Sequence, residues 1–263
     1  MNMDSPSSPQ FQDEGNAGNR STPTLPRSCS LSSSSPSTSP RTSTIYHIYF
    51  NSISHVNFTI TKSPEKRHPV YHVQNSYFTP GTPDITLHAG PDQSGPILGR
   101  CKFVLFSTCT KIGLGISEED MIWEDLTRVS KDHSRYRYEI DMGMDIGDGD
   151  KAGPTSLSAA RAHARRRAFL WKRTHSVGVE DSRPSKFSPS NYKLVDEETG
   201  EVVAAFANNG FKSWKKKGKL EILKNDWLFG DAGKGFELMV LMGALAVMER
   251  ERRRGMQWRY DQL

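Results

Sequence analysis

Long apolar runs are missing from this 263-residue chain: no stretch reaches the ~18 uncharged apolar residues that a helical membrane span requires. An apolar leader is missing too, because Met1–Thr44 holds 13 Ser, 6 Pro and 5 Thr and no hydrophobic block of the signal-peptide kind. The expectation is therefore an intracellular protein, cytoplasmic or nuclear, that is neither secreted nor integral to a membrane. Cysteine is scarce. Cys29, Cys101 and Cys109 make an odd number, with one in the N-terminal stretch, so no disulfide framework is implied and a reducing compartment fits. Cys101 and Cys109, flanking an apolar strand, read as buried structural thiols.

Catalytic signatures are absent as well. The motifs HExxH, GxSxG and CxxC do not occur, and the eight His show no metal-ligand spacing. Two near-misses fail on chemistry. A phosphate-binding loop aligned on Gly233-Lys234 would need Gly where Leu228 stands and Ser or Thr where Gly235 stands. A calcium loop opening at Asp148 would put Ala152 and Ala159 where oxygen ligands belong. The expectation is a non-enzyme with no cofactor and no metal.

What is present divides the chain into a tail and a domain. In Met1–Thr44 Ser, Pro and Thr fill more than half the positions, a composition that cannot bury enough apolar surface to offset its ordering entropy; it is expected to be disordered. From Ile45 to Leu263 the pattern is one of short strands punctuated by turns. Ile45–Phe50, Val56–Ile60, Asp84–His88, Cys101–Phe106, Tyr136–Ile140 and the stretch after Arg165 are rich in β-branched and aromatic residues. Tyr192–Val195 and Val202–Phe206 form the clearest hairpin, with Gly200 placed to supply a positive φ. Asp141–Ala160, rich in Gly and Asp, reads as a loop insertion.

One helix is expected, over residues 235–254. Its stretch Leu238–Met248 has no charged or strongly polar side chain on any face, so it must be enclosed rather than laid on a surface. Those residues rise only ~16 Å, half a bilayer core, which points to enclosure by protein. Mainly-β sequence around one all-round hydrophobic helix implies an antiparallel β-barrel wrapped about that helix.

That plan resembles the tubby C-terminal-like superfamily, which holds tubby proteins, LURP-one-related proteins and phospholipid scramblases. The segments Asp84–Leu87 through Gly99-Arg100, Tyr192–Asp196, Gly200–Ala204, Gly218–Ile222 and Glu249–Arg254 are similar to a fungal family of that superfamily, together covering Ile45–Arg254. The resemblance implies a tubby-like barrel and, since tubby proteins bind phosphoinositides and scramblases act on phospholipids, a lipid connection. No functional position of either group matches here residue by residue.

Charge supplies the remaining signal. Met1–Asp150 carries 13 Lys and Arg against 17 Asp and Glu, while Lys151–Leu263 carries 22 against 13. Three clusters stand out: Arg165, Arg166 and Arg167 with Lys172 and Arg173; Lys212, Lys215, Lys216 and Lys217 interleaved with Phe211 and Trp214; and Arg250 with Arg252–Arg254. Cations interleaved with aromatics suit a membrane surface or stacked bases, and the second cluster is expected in a hairpin loop. The arginines of the third have an ordinary role in complementing a helix C-terminus. Lys212, Trp214, Lys215, Lys216, Lys217, Arg165, Arg166 and Arg167 are thus the candidate contacts. The expected function is a non-catalytic module contacting anionic phospholipid, a phosphoinositide, as a peripheral membrane protein. The alternative is a nucleic-acid or protein-interaction adaptor using the same basic face.

Overall fold

The computed structural model describes residues 43–51, 56–65, 68–77, 79–142, 166–180, 190–209, 215–223 and 233–260, with helix side chains through Gly255. The Ser/Pro-rich stretch as far as residue 42 and the expected insertion beyond Met142 lie outside these residues.

Twelve antiparallel strands close into a barrel in simple up-and-down order, each paired with its sequence neighbours and the last with the first. They are β1 (Ser43–Phe50), β2 (Phe58–Thr61), β3 (Pro69–Asn75), β4 (Ile85–Ala89), β5 (Ile97–Phe103), β6 (Cys109–Leu114), β7 (Ile122–Arg128), β8 (Arg135–Asp141), β9 (Arg166–Arg173), β10 (Tyr192–Asp196), β11 (Val202–Asn208) and β12 (Lys216–Leu223). Helix α1 (Gly233–Tyr260) follows. Closure removes every sheet edge. Alternation sends one face of each strand inward: Tyr136, Tyr138 and Ile140 from β8, Phe169 and Trp171 from β9, and Leu220 and Ile222 from β12 are all at 1% exposure or less.

The barrel interior is filled by α1. Every residue from Leu238 to Met248 is buried, Met239, Val240, Leu241 and Met242 completely. Enclosure of an all-apolar helix is the arrangement its sequence demands, each large side chain gaining about 1.5–3 kcal/mol over exposure. Gly243 shows how tight the fit is. A Cβ there would meet Trp171 Nε1 at 3.0 Å and Tyr138 Oη at 3.3 Å, so a side chain would force the helix off the wall.

The hairpin of β10 and β11 turns at Gly200, whose φ of 74° is the left-handed value expected of it. Elsewhere the boundaries move. Strand β3 opens on Pro69 and β6 spans Cys109–Leu114; neither stands out as a β signal in the sequence. The apolar run ending at Phe106 is only partly strand: β5 stops at Phe103, and Val104–Phe106 turn out into solvent. Cys101 is fully buried, whereas Cys109 is only half-buried; both are free thiols, and burial raises the pKa of each.

Candidate anion-binding end of the barrel

Up-and-down topology gives the barrel two ends of different composition. At one end lie the start of α1 and the β2–β3, β4–β5, β6–β7 and β10–β11 turns. Among the described residues there, Glu65, Asp92, Glu118, Glu119, Asp120, Glu197, Glu198 and Glu201 are exposed, against the exposed cations Lys62 and Lys234. At the other end lie the last described turns of α1 and the turns after β1, β3, β5, β7, β9 and β11. Here Lys131, Arg135 and Lys215 are exposed, and Arg250, Arg252, Arg253 and Arg254 emerge from the barrel mouth, against Asp84, Asp132, Glu249 and Glu251. Glu180, in the long β9–β10 connection, is paired with Lys219.

The arginines of the basic end are held by a dense set of bonds. Arg252 grips Glu249 through two nitrogens at 2.6 and 2.7 Å, and Arg253 reaches the same carboxylate at 2.8 Å. Arg253 also bonds Asp84 at 2.5 Å and donates to the Ser76 carbonyl at 2.8 Å, tying the helix to the β3–β4 turn. Arg254 bonds Glu251 at 2.6 Å, and Arg173 lies 3.5 Å from that carboxylate. Arg250 donates to the carbonyls of Ser107, Thr108 and Cys109 at 3.3, 3.1 and 2.7 Å. Aromatic faces support the guanidinium groups: Tyr77 lies 4.9 Å from both Arg252 and Arg253, and Phe103 lies 4.7 Å from Arg253.

Burial shapes the charges in this cluster. Glu249 is fully buried, and loss of solvent pushes its carboxyl up to about 7 against the pull of Arg253 and Lys217. Desolvation also pushes Arg252 down to about 10, where it still carries its charge at neutral pH. Because the helix runs on to Tyr260, Arg250–Arg254 stand more than a turn short of its carbonyl end, and the dipole role expected of them from the sequence is not theirs. The buried Glu249 and the partly buried Glu251 account for part of the cluster; among the described residues, the exposed lysines and the partly buried Arg250 leave this end positive.

The predicted contact residues fall in three places. Arg165, Lys212 and Trp214 lie outside the described residues. Lys215 is exposed at the basic end, but Lys216 and Lys217 open β12 rather than sitting in a loop. Lys216 Nζ lies 3.0 Å from His47 Nδ1 and 5.5 Å from the centre of the Tyr49 ring. Burial lowers the pKa of Lys217, with the Glu249 carboxylate pulling the other way. Arg166 and Arg167 stand at the acidic end, because β9 begins there and carries Lys172 and Arg173 across the barrel wall. The two predicted clusters therefore share no single face.

Arg166 and Arg167 are both engaged. Arg167 bonds the fully buried Asp196 at 2.6 Å and lies 3.2 Å from Glu198. Arg166 grips Glu124 at 2.6 and 3.1 Å. That second pair closes a seam. Strands β7 and β8 pair only as Thr127↔Arg137 and Arg128↔Tyr136, and they diverge toward the acidic end. Arg166 crosses the resulting groove, passing 3.7 Å from Glu139, to reach Glu124. Burial pushes the Glu124 carboxyl up while Arg166 holds it down.

No protein-family model and no curated protein matches this chain. Among solved structures, the X-ray structure of a protein from Arabidopsis thaliana is similar over 79% of this chain and 91% of that one, at 13% identity and a TM-score of 0.39. The barrel assignment stands on the closed strand ladder itself. Among the described residues, no helix is long and apolar enough to cross a membrane.

Proposed function

We propose that this barrel is a non-catalytic binding module of the tubby C-terminal-like kind, and that it presents its basic end to anionic phospholipid, phosphoinositide included, at a cytoplasmic membrane surface. The observation that carries this reading is the separation of charge between the two ends. A positive end facing an anionic surface, with the acidic end turned away, gives the molecule an orienting electrostatic moment, and each Lys or Arg brought near such a surface contributes ~1 kcal/mol. Lys131 and Lys215 are the contacts this geometry favours, with Arg250 and Arg252–Arg254 supplying field behind them.

Co-sedimentation of the full chain with neutral, phosphatidylserine and phosphoinositide vesicles at two salt concentrations tests the reading. Binding to both anionic vesicle types and none to neutral ones is expected, weakening as salt rises. Selective binding of oligonucleotides with a steep salt slope, and no binding to vesicles, would replace it with the adaptor alternative.

A further inference from the structure

Among the described residues of the basic end, the most exposed large apolar side chains stand on the β5–β6 turn. Phe106 is 109% exposed and Leu105 72%, while Val129 of the adjoining β7–β8 turn is 51% exposed. The two turns are joined, Arg128 N donating to the Thr108 carbonyl at 3.0 Å. Phe106 also has a φ of 58°, a left-handed backbone that a bulky residue adopts only under strain. A strained aromatic held out of the protein calls for an explanation outside the protein.

We infer that Leu105 and Phe106 form an apolar wedge that enters the headgroup–acyl boundary when the basic end docks on an anionic bilayer. This rests on the lipid reading above and names the element that inserts. The turn is built to hold its shape. Ser107 N donates to the Val104 carbonyl at 3.2 Å, closing the tip, and Cys109 N donates to Ser107 Oγ at 3.0 Å. Arg250 clamps the carbonyls of Ser107, Thr108 and Cys109 from the helix end, so the tip is braced by the barrel's central element. A pre-shaped wedge loses little conformational freedom on binding.

Charge and size select the bilayer among possible occupants. Lys102 of β5, Arg128 at the end of β7 and Lys131 of the β7–β8 turn stand on the elements that carry the two joined turns, a cationic setting that matches anionic headgroups around an inserted apolar point. A second copy meeting tip to tip would bring two basic ends together, which like-charge repulsion opposes. A folded protein partner buries about 800 Å² per side, far more than two side chains offer.

Phe106→Gly keeps the left-handed turn without strain, so it leaves folding intact while removing the ring. Leu105→Ser/Phe106→Gly removes the wedge. Full-length wild type and both variants are compared by co-sedimentation with phosphatidylserine-rich vesicles. The double variant is expected to bind roughly 10- to 100-fold more weakly, the single variant less so, with the salt slope unchanged because every cation remains. If wild type binds these vesicles and the double variant binds equally, the wedge is refuted and the lipid reading stands. If wild type ignores anionic vesicles, both fall. If wild type self-associates and the double variant does not, a second copy covers the tip and the wedge is again refuted.

Discussion

The two ends of this barrel use the same residue types to opposite purposes. At the acidic end, arginines close structure: Arg166 bridges a seam where the β7–β8 ladder gives out, and Arg167 neutralises the buried Asp196. Among the described residues, exposed charge there is mostly carboxylate. At the basic end Glu249 is fully buried among arginines as their structural partner, and exposed charge is mostly cationic. The lesson is that what reads as a binding patch depends on which sign is buried and which is left facing water. Both patterns hang on α1, which begins at one end and finishes at the other.

The largest expected effect breaks that common support. Ala244, 3% exposed in the middle of α1, has no room or partner for a charge, so Ala244→Asp should cost several kcal/mol and abolish soluble expression. A variant that unfolds at the wild-type temperature would mean that the helix does not organise the ends.

Next come the paired charges. Removing Glu249 takes from Arg252 both hydrogen bonds to the carboxylate and from Arg253 one of its two carboxylates, so Glu249→Ala should cost about 2–4 kcal/mol in denaturant unfolding. Arg166→Ala should cost less, about 1 kcal/mol, because Arg166 is half exposed and Glu124 can take a proton or water once the seam opens. Equal losses would erase the distinction between a buried basic cluster and a sealed groove.

A related effect concerns pH. Glu249 faces Arg252 and Arg253 on its own helix, Lys217 from β12 and Asp84 from the β3–β4 turn, and titrates at about 7 against an ordinary 4.5. Between those values the folded chain holds a proton that the unfolded chain has released. Its contribution to stability is therefore full below 4.5 and lost as pH rises through about 7. Relative to Glu249→Gln, wild type should lose roughly 2–3 kcal/mol between pH 5 and 8 in chemical denaturation. Parallel pH profiles for the two proteins would show that Glu249 keeps an ordinary pKa.

Much of the fold was legible because its central constraint is local. Leu238–Met248 is apolar on every face, and such a helix has nowhere to lie but inside a closed wall. The β10–β11 hairpin was legible through Gly200 for the same reason. Strand β3 was not, since it opens on Pro69 and its outward face carries His72 and Gln74. The Val104–Phe106 turn was hidden because apolar residues signal a strand whether or not the chain has already turned. The site was harder still. The sequence divides its charge between halves of the chain, whereas the barrel divides it between ends. Arg166 and Arg173 lie in one strand, yet eight residues at about 3.3 Å each carry the chain from one end to the other. Only strand direction reveals that, and cation clusters alone do not encode it.

The most direct test moves charge at one end while holding net charge equal. Lys131→Glu/Lys215→Glu alters exposed lysines of the basic end, and Lys62→Glu/Lys234→Glu alters exposed lysines of the acidic end by the same total. With phosphoinositide-containing vesicles, the basic-end variant should bind about 100-fold or more weakly than wild type, and the acidic-end variant nearly as wild type. Equal losses from the two variants would show that net charge alone governs binding and would contradict a membrane-facing basic end.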